Sequence, residues 1–285
     1  MRLGASLNIE DADPVAIARA YFESGFSAAI CPPVTLDQPD RIEEIRKAFA
    51  QYDVMLAEIG VWNNMLHPVE ADRAMNIQAN VEALALAEEV GARCCVNIAG
   101  SFDPDRWDGP HPRNLSIEAF ELTVQNVRHI IDTVNPKRAY YSLETMPWVI
   151  PDSIDSYLRL LEAVDRPRFA VHLDPVNMIN CPARFYDNAG FLRECFKKLG
   201  PWIVSCHAKD IKMSGRLTMH LDEIRPGQGC LDYDVFLGEL NRIPGEVPLI
   251  LEHLPQGEYQ LAREYIIGVA DRIGVSIHSP SAWNH

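Results

Sequence analysis

Four residues of this chain combine metal-ligating chemistry with a regular spacing: Glu144, Asp174, His207 and Glu252. They are separated by 30, 33 and 45 positions, and each stands where a short apolar run stops. Three carboxylates gathered in an apolar pocket lose hydration and repel one another. A divalent cation removes that cost. Three oxygen ligands and one imidazole suit Mn²⁺, Mg²⁺ or Co²⁺, with Zn²⁺ as an alternative.

Other residues with usable chemistry fall close to the same positions. Glu58 ends a third apolar run and is followed by Trp62 and Asn63, and Asn97 lies in a fourth. Trp62 and Trp148 follow the third and fifth runs, where flat indoles can stack on a ligand ring. Lys209 shares strand parity with His207, so it is expected to point inward and to bind substrate. His172 has the parity of Asp174 and is expected to contact substrate or to orient a ligand. His253 has the opposite parity to Glu252 and is expected to face a helix. His220 and Glu223, in the loop after the seventh run, are candidate lid contacts. His129, His278 and His285 receive no role. The loop GSFDPDRWDGPHPRNLS carries His111 and is too long to be a simple connector.

Those positions imply a scaffold. Apolar runs alternate with amphipathic runs: strands are expected at 3–7, 27–31, 54–59, 94–98, 139–144, 169–174, 203–207 and 248–252. Between and after them, helices are expected near 14–24, 42–52, 71–90, 117–134, 152–164, 191–199, 233–240 and 258–273. Asp13-Pro14 opens the first helix, because the carboxylate caps free amides and proline fits the first helical position. Gly25 and Gly91 stop helices. Eight strand–helix pairs whose strands are apolar on both faces predict a single-domain (β/α)8 barrel over residues 1–285. No G-x-G-x-x-G follows the first strand, which counts against a dinucleotide-binding sheet. In a barrel the site lies at the C-terminal strand ends, where the four ligands fall. Neighbouring strands are about 4.8 Å apart, so ligands from successive strands can converge.

Composition narrows the partners. The chain has 285 residues, a net charge of −14 and 47% hydrophobic residues. That acidity disfavours nucleic acid. No apolar stretch is long enough for a membrane span, and the first residues do not read as a secretory signal, so a cytoplasmic protein is expected. The seven cysteines show no CxxC pair and read as small core residues in a reducing compartment.

The runs SLETMPW, VHLDPVNMI, SCHAKDI, RPGQGCLDYDVFL and LILEHL resemble the xylose-isomerase-like barrel superfamily of sugar isomerases and epimerases. The similarity covers nearly the whole chain. It implies that Glu144, Asp174, His207 and Glu252 hold one catalytic divalent ion, Mn²⁺ foremost, and that Glu144 and Glu252 are candidate bases. A metal held on a ketone and its neighbouring hydroxyl acidifies the C–H between them and stabilises the enediolate. Reprotonation on the other face gives an epimer, reprotonation on the next carbon gives an isomer, and loss of a β-substituent gives an elimination product. A small carbohydrate or keto-sugar is the implied substrate. The superfamily's ketose 3-epimerases carry a histidine where this chain has Asn177, and an arginine that Arg216 would have to supply. A looser likeness, to the α subunits of C-glycoside deglycosidases, implies an acid–base role for His111 and a lyase acting on a 3-keto-glycoside. A non-catalytic sugar-binding subunit is the third alternative. The resemblance also implies a homo-oligomer, with a partner subunit as an alternative. Metal-dependent apurinic endonucleases share the barrel but need more histidines and a basic face, which this chain lacks.

Overall fold

The computed structural model describes residues 1–9 and 13–282; His285 lies outside the described residues. In chain order the strands are β1 (Arg2–Ala5), β2 (Ala28–Ile30), β3 (Met55–Gly60), β4 (Cys94–Asn97), β5 (Tyr140–Glu144), β6 (Phe169–Leu173), β7 (Ile203–Ala208), β8 (Asp210–Ser214), β9 (His220–Ile224) and β10 (Pro248–Leu251). All but β8 and β9 pair in parallel around a closed barrel of eight strands, in the order β1-β10-β7-β6-β5-β4-β3-β2. The (β/α)8 fold expected from the alternation is therefore the observed one. A hydrophobic core fills the space between strands and helices, with Phe26, Phe49, Tyr141, Tyr157 and Phe236 fully buried in it.

Local chemistry sets the helix ends. Asp13 accepts from the Val15 amide and Pro14 begins the first helix. Ser116 accepts from the Ala119 amide to start Ile117–Val134. Ser153 and Ser156 form a reciprocal capping box ahead of Ile154–Val164. Gly91 closes Glu70–Val90 at φ 80°, a left-handed geometry that costs a residue with a Cβ.

The structure departs from the expected pattern in two places. The stretch after β6 contains two short helices, Pro175–Met178 and Pro182–Tyr186, before Asn188–Leu199. Each begins with a proline at its first turn. The segment after β7 is an antiparallel hairpin, β8 with β9, outside the barrel. Of the cysteines, Cys94, Cys95, Cys195 and Cys206 are buried, whereas Cys230 is exposed; all are free. Among the described residues, no helix is long and apolar enough to cross a membrane.

Candidate metal centre

Glu144 is the last residue of β5, Asp174 follows β6, His207 lies in β7 and Glu252 follows β10. All four are buried, and one ligand atom from each lies within 4.8 Å of the others. His207 Nδ1 stands 3.0 Å from Glu144 Oε1, 2.9 Å from Glu252 Oε1 and 3.8 Å from Asp174 Oδ2. Lys209 enters from above: its Nζ is 2.7 Å from both Asp174 Oδ2 and Glu252 Oε1 and 3.6 Å from Glu144 Oε1. Asp174 Oδ2 and Glu252 Oε1 thus rest on ion-pair contacts with Lys209 and His207, without a hydrogen bond of regular geometry. Buried acceptors of this kind are costly unless something else satisfies them. Their other requirements are met elsewhere, because Asp174 Oδ1 accepts from the Val176 and Asn177 amides. Three buried carboxylates and one imidazole, with ligand atoms within 4.8 Å of one another and two carboxylate oxygens held only by ion-pair contacts, fit a divalent cation.

The electrostatics agree. Burial pushes the Glu144 carboxyl up to about 7, against the opposing pull of Lys209 and His207. Burial also acts on Asp174 and Glu252, yet the cationic Lys209 and His207 hold both well below the usual carboxylate range. For His207, burial disfavours the charged ring, but Glu252, Glu144 and Glu58 together raise its basicity well above normal. Metal binding would exchange that proton for a cation.

The cavity above the cluster has a volume of about 430 Å³. Glu144, Glu252, Asn177, Lys209, Glu223 and His253 give it polar edges. Trp62, Trp107, Trp148, Ile98 and Met146 give it an apolar wall. Trp62 sits at φ 48°, its ring centroid 6.4 Å from that of His207. Trp148 Nε1 donates to the Asp108 carbonyl at 2.7 Å and so ties the loop after β4 to the loop after β5. Asn177 Nδ2 donates to Glu144 Oε1 at 3.1 Å and to the Thr145 carbonyl at 3.0 Å. Asn177 thus braces the Glu144 carboxylate, a candidate metal ligand.

Four expected substrate contacts lie in this cavity: Trp62, Trp148, Asn177 and Lys209. Asn97, His172, Arg216 and the candidate base His111 are not among its lining residues. Asn97 is buried in an amide network with Asn63 and Asn80 that supports the Trp62 loop. His172 is fully buried edge-on to His207, with ring centroids 4.1 Å apart, and burial followed by the His207 charge lowers it to about 4. Arg216 is exposed at the hairpin end, its Nε 3.4 Å from Ser214 Oγ. His111 caps the turn Pro112–Leu115, its Nδ1 accepting from the Arg113 amide, and its ring faces Phe102. The loop is held in this form because Asn114 bonds Ser101 and the Gly109 carbonyl.

His253 corrects the parity argument. It lines the cavity rather than facing a helix, and its Nδ1 lies 3.1 Å from Glu223 Oε1. β10 ends at Leu251, and His253 adopts φ 56°, so strand alternation no longer governs its direction. Glu223 reaches the site because the hairpin is anchored at its foot. Asp210 Oδ2 accepts from the Gly227 and Gly229 amides, and Oδ1 from the Ile211 and Leu231 amides. The PGQG turn therefore serves to fold the loop around one carboxylate. A Cβ on Gly229 would lie 2.3 Å from Asp210 Oδ1, so glycine is required there.

A family model described as xylose isomerase-like TIM barrel matches residues 20–267. The chain belongs to this family. Solved structures agree on the barrel. A xylose isomerase-like TIM barrel protein from Mycobacterium smegmatis in complex with magnesium superposes with a TM-score of 0.69 at 17% identity, over 95% of this chain and 97% of the other. The 3-keto-D-glucoside 4-epimerase YcjR from E. coli gives a TM-score of 0.69 at 14% identity, over 94% and 99%. The probable 3-DHS dehydratase AsbF from Bacillus anthracis gives 0.69 at 16% identity, over 95% and 100%. At these identities the likeness establishes the shared fold. Among curated protein sequences none matches this chain.

Proposed function

We propose that this barrel is a divalent-metal-dependent sugar isomerase or epimerase that moves a proton on the carbon beside a carbonyl. The observation that carries the reading is the convergence of Glu144, Asp174, His207 and Glu252 on one buried point beneath an open cavity. These four side chains would hold the ion, with Mn²⁺ the expected species and Mg²⁺, Co²⁺ or Zn²⁺ as alternatives. The ion would supply Lewis acidity toward a carbonyl oxygen.

The remaining work falls to the chain's own groups. Glu144 borders the cavity beside Lys209 and is the first candidate base. Glu252 faces it across the cluster and is the second candidate base. The Lys209 ammonium borders the cavity and can donate to a hydroxyl or to an oxygen on which negative charge develops. The indoles of Trp62, Trp107 and Trp148 offer flat faces for a sugar ring and exclude water from it.

A second reading, elimination of a substituent β to the carbonyl of a 3-keto-glycoside, is favoured by that same apolar wall, which offers a leaving aglycone a surface. The two are separated by incubating metal-loaded protein with free ketoses and with 3-keto-glycosides in D₂O and examining the recovered sugars by NMR. Deuterium on an intact carbon skeleton supports proton transfer, and released aglycone supports the lyase. No exchange with any sugar would leave a binding protein. Metal analysis of Glu144→Ala tests the site itself: unchanged metal content would remove the basis of both readings.

A further inference from the structure

Glu58 is a polar residue of the barrel that the proposed reaction leaves unused. It lies in β3, which stands directly across the ring from β7, four strands away in either direction. Its side chain is 1% exposed. The ring nitrogens that face it belong to two histidines: Oε1 is 3.4 Å from His207 Nε2, and Oε2 is 3.5 Å from His172 Nδ1. Ser205 Oγ donates to Oε2 at 3.4 Å and fixes the carboxylate from a third side.

The two nitrogens of His207 therefore meet different surroundings. Nδ1 is turned to Glu144, Asp174 and Glu252. Nε2 is turned away from them, toward Glu58. A neutral imidazole carries its proton on one nitrogen and a lone pair on the other. Only the Nε2–H form leaves Nδ1 free to coordinate, and that form needs an acceptor behind the ring in a space closed to water. We infer that Glu58 is a positioning residue for the metal centre: its carboxylate accepts the Nε2–H of His207 and so keeps Nδ1 aimed at the three carboxylates, where a bound cation would take the place of its proton. The edge-on ring of His172, 4.1 Å from His207 between centroids, limits rotation out of this pose. A carboxylate behind a ligating imidazole also makes the ring a stronger donor. The inference rests on the metal centre proposed above.

The test is calorimetric titration of Mn²⁺ into the full chain as wild type, Glu58→Gln, His207→Ala and the double variant. Glu58→Gln is expected to weaken binding by about 10–100-fold, the usual consequence of losing such a partner. In the His207→Ala background the same change is expected to add nothing, because Glu58 acts through that ring. In Mg²⁺-loaded wild type, ¹⁵N-resolved NMR should show His207 protonated at Nε2, and Glu58→Gln should shift that N–H resonance. If Glu58→Gln does not fold, Glu58→Asp keeps the charge but withdraws it, and a smaller loss is expected. Wild-type affinity in a folded Glu58 variant overturns the inference, as does an equal loss with and without His207, or a proton on Nδ1 in the loaded protein. A wild type that takes up no Mn²⁺ removes the metal centre itself, an outcome distinct from a centre that forms but ignores Glu58.

Discussion

The barrel carries a charged cluster at each end, and the two are built differently. At the N-terminal end Arg2 Nη2 donates to Asp53 Oδ1 at 2.9 Å, Nη1 to the Asp53 carbonyl at 2.7 Å, and Nε to Glu246 Oε2 at 2.7 Å. His278 Nε2 lies 2.6 Å from Asp53 Oδ2 and its Nδ1 3.3 Å from Glu246 Oε1. Every group there meets a partner of opposite character, and the ring of contacts ties the strand ends to the tail of the chain. At the C-terminal end, three carboxylates are packed more deeply and share the Lys209 ammonium and the His207 ring, with two of their oxygens lacking a hydrogen bond of regular geometry. The first cluster has the make-up of a clamp. The second, bordering a cavity, has the make-up of a receptor for a cation.

The sharpest way to break this contrast is Asp174→Asn. Loss of an outer partner typically weakens metal binding by about 10–100-fold, so loss of a ligand charge is expected to exceed about 100-fold. Thermal stability without metal should fall by less, because Asn loses the charge that pairs with Lys209 at 2.7 Å but keeps the oxygen that caps the Val176 amide. Titration calorimetry beside a melting curve checks both, and a large fall in melting temperature with retained binding contradicts the receptor reading. Arg2→Met should show the reverse pattern. It leaves Asp53 and Glu246 without their shared cation, at an expected cost of about 2 kcal/mol, below the figure for a fully buried pair because both carboxylates are partly hydrated. Urea unfolding measures that cost, and metal affinity should stay at the wild-type value.

The smallest effect concerns acid. Burial tends to raise the Asp53 carboxyl, but hydrogen bonds from His278 and Arg2 and their charges bring it below the ordinary range. Glu246 is lowered chiefly by its hydrogen bond from Arg2. For a carboxyl depressed in the folded state, the stabilisation is fully present above its unfolded pKa and is lost as pH falls through the folded one. Wild type should therefore lose stability as pH drops below about 4, and Arg2→Met should show a shallower loss over the same range. Parallel acid limbs for the two proteins, measured by urea unfolding at stepped pH, would show that the N-terminal cluster contributes no clamp.

Much of the C-terminal cluster was legible from sequence because strand ends are a local property. Glu144, Asp174, His207 and Glu252 each terminate an apolar run, and the barrel converts equal positions along neighbouring strands into one point in space. Lys209 followed from alternation carried two residues past His207, one residue beyond the end of β7. Alternation fails where the strand stops, which is why His253 was placed on the wrong side: its left-handed backbone is set by the turn after β10. The capping contact of His111 could not be read from sequence, because a loop's internal hydrogen bonds, such as those of Asn114, leave no periodic trace. The Glu58–His207 contact spans 149 residues and exists only because the ring closes. The N-terminal clamp likewise joins Arg2, Asp53, Glu246 and His278 from distant segments, with no spacing rule to announce them. The β8–β9 hairpin was missed because its mixed polar composition lacks the apolar run that marks the barrel strands.

That hairpin bears on how such a barrel can change its habits. Its base is stapled by the Asp210 carboxylate, while its far end stands clear, with Leu217 94% exposed. Insertions, deletions or new side chains at the tip would leave the staple and the metal quartet where they are. The tip is thus a place where the chain can vary in length and character without disturbing Glu223 or the four residues at the floor of the cavity.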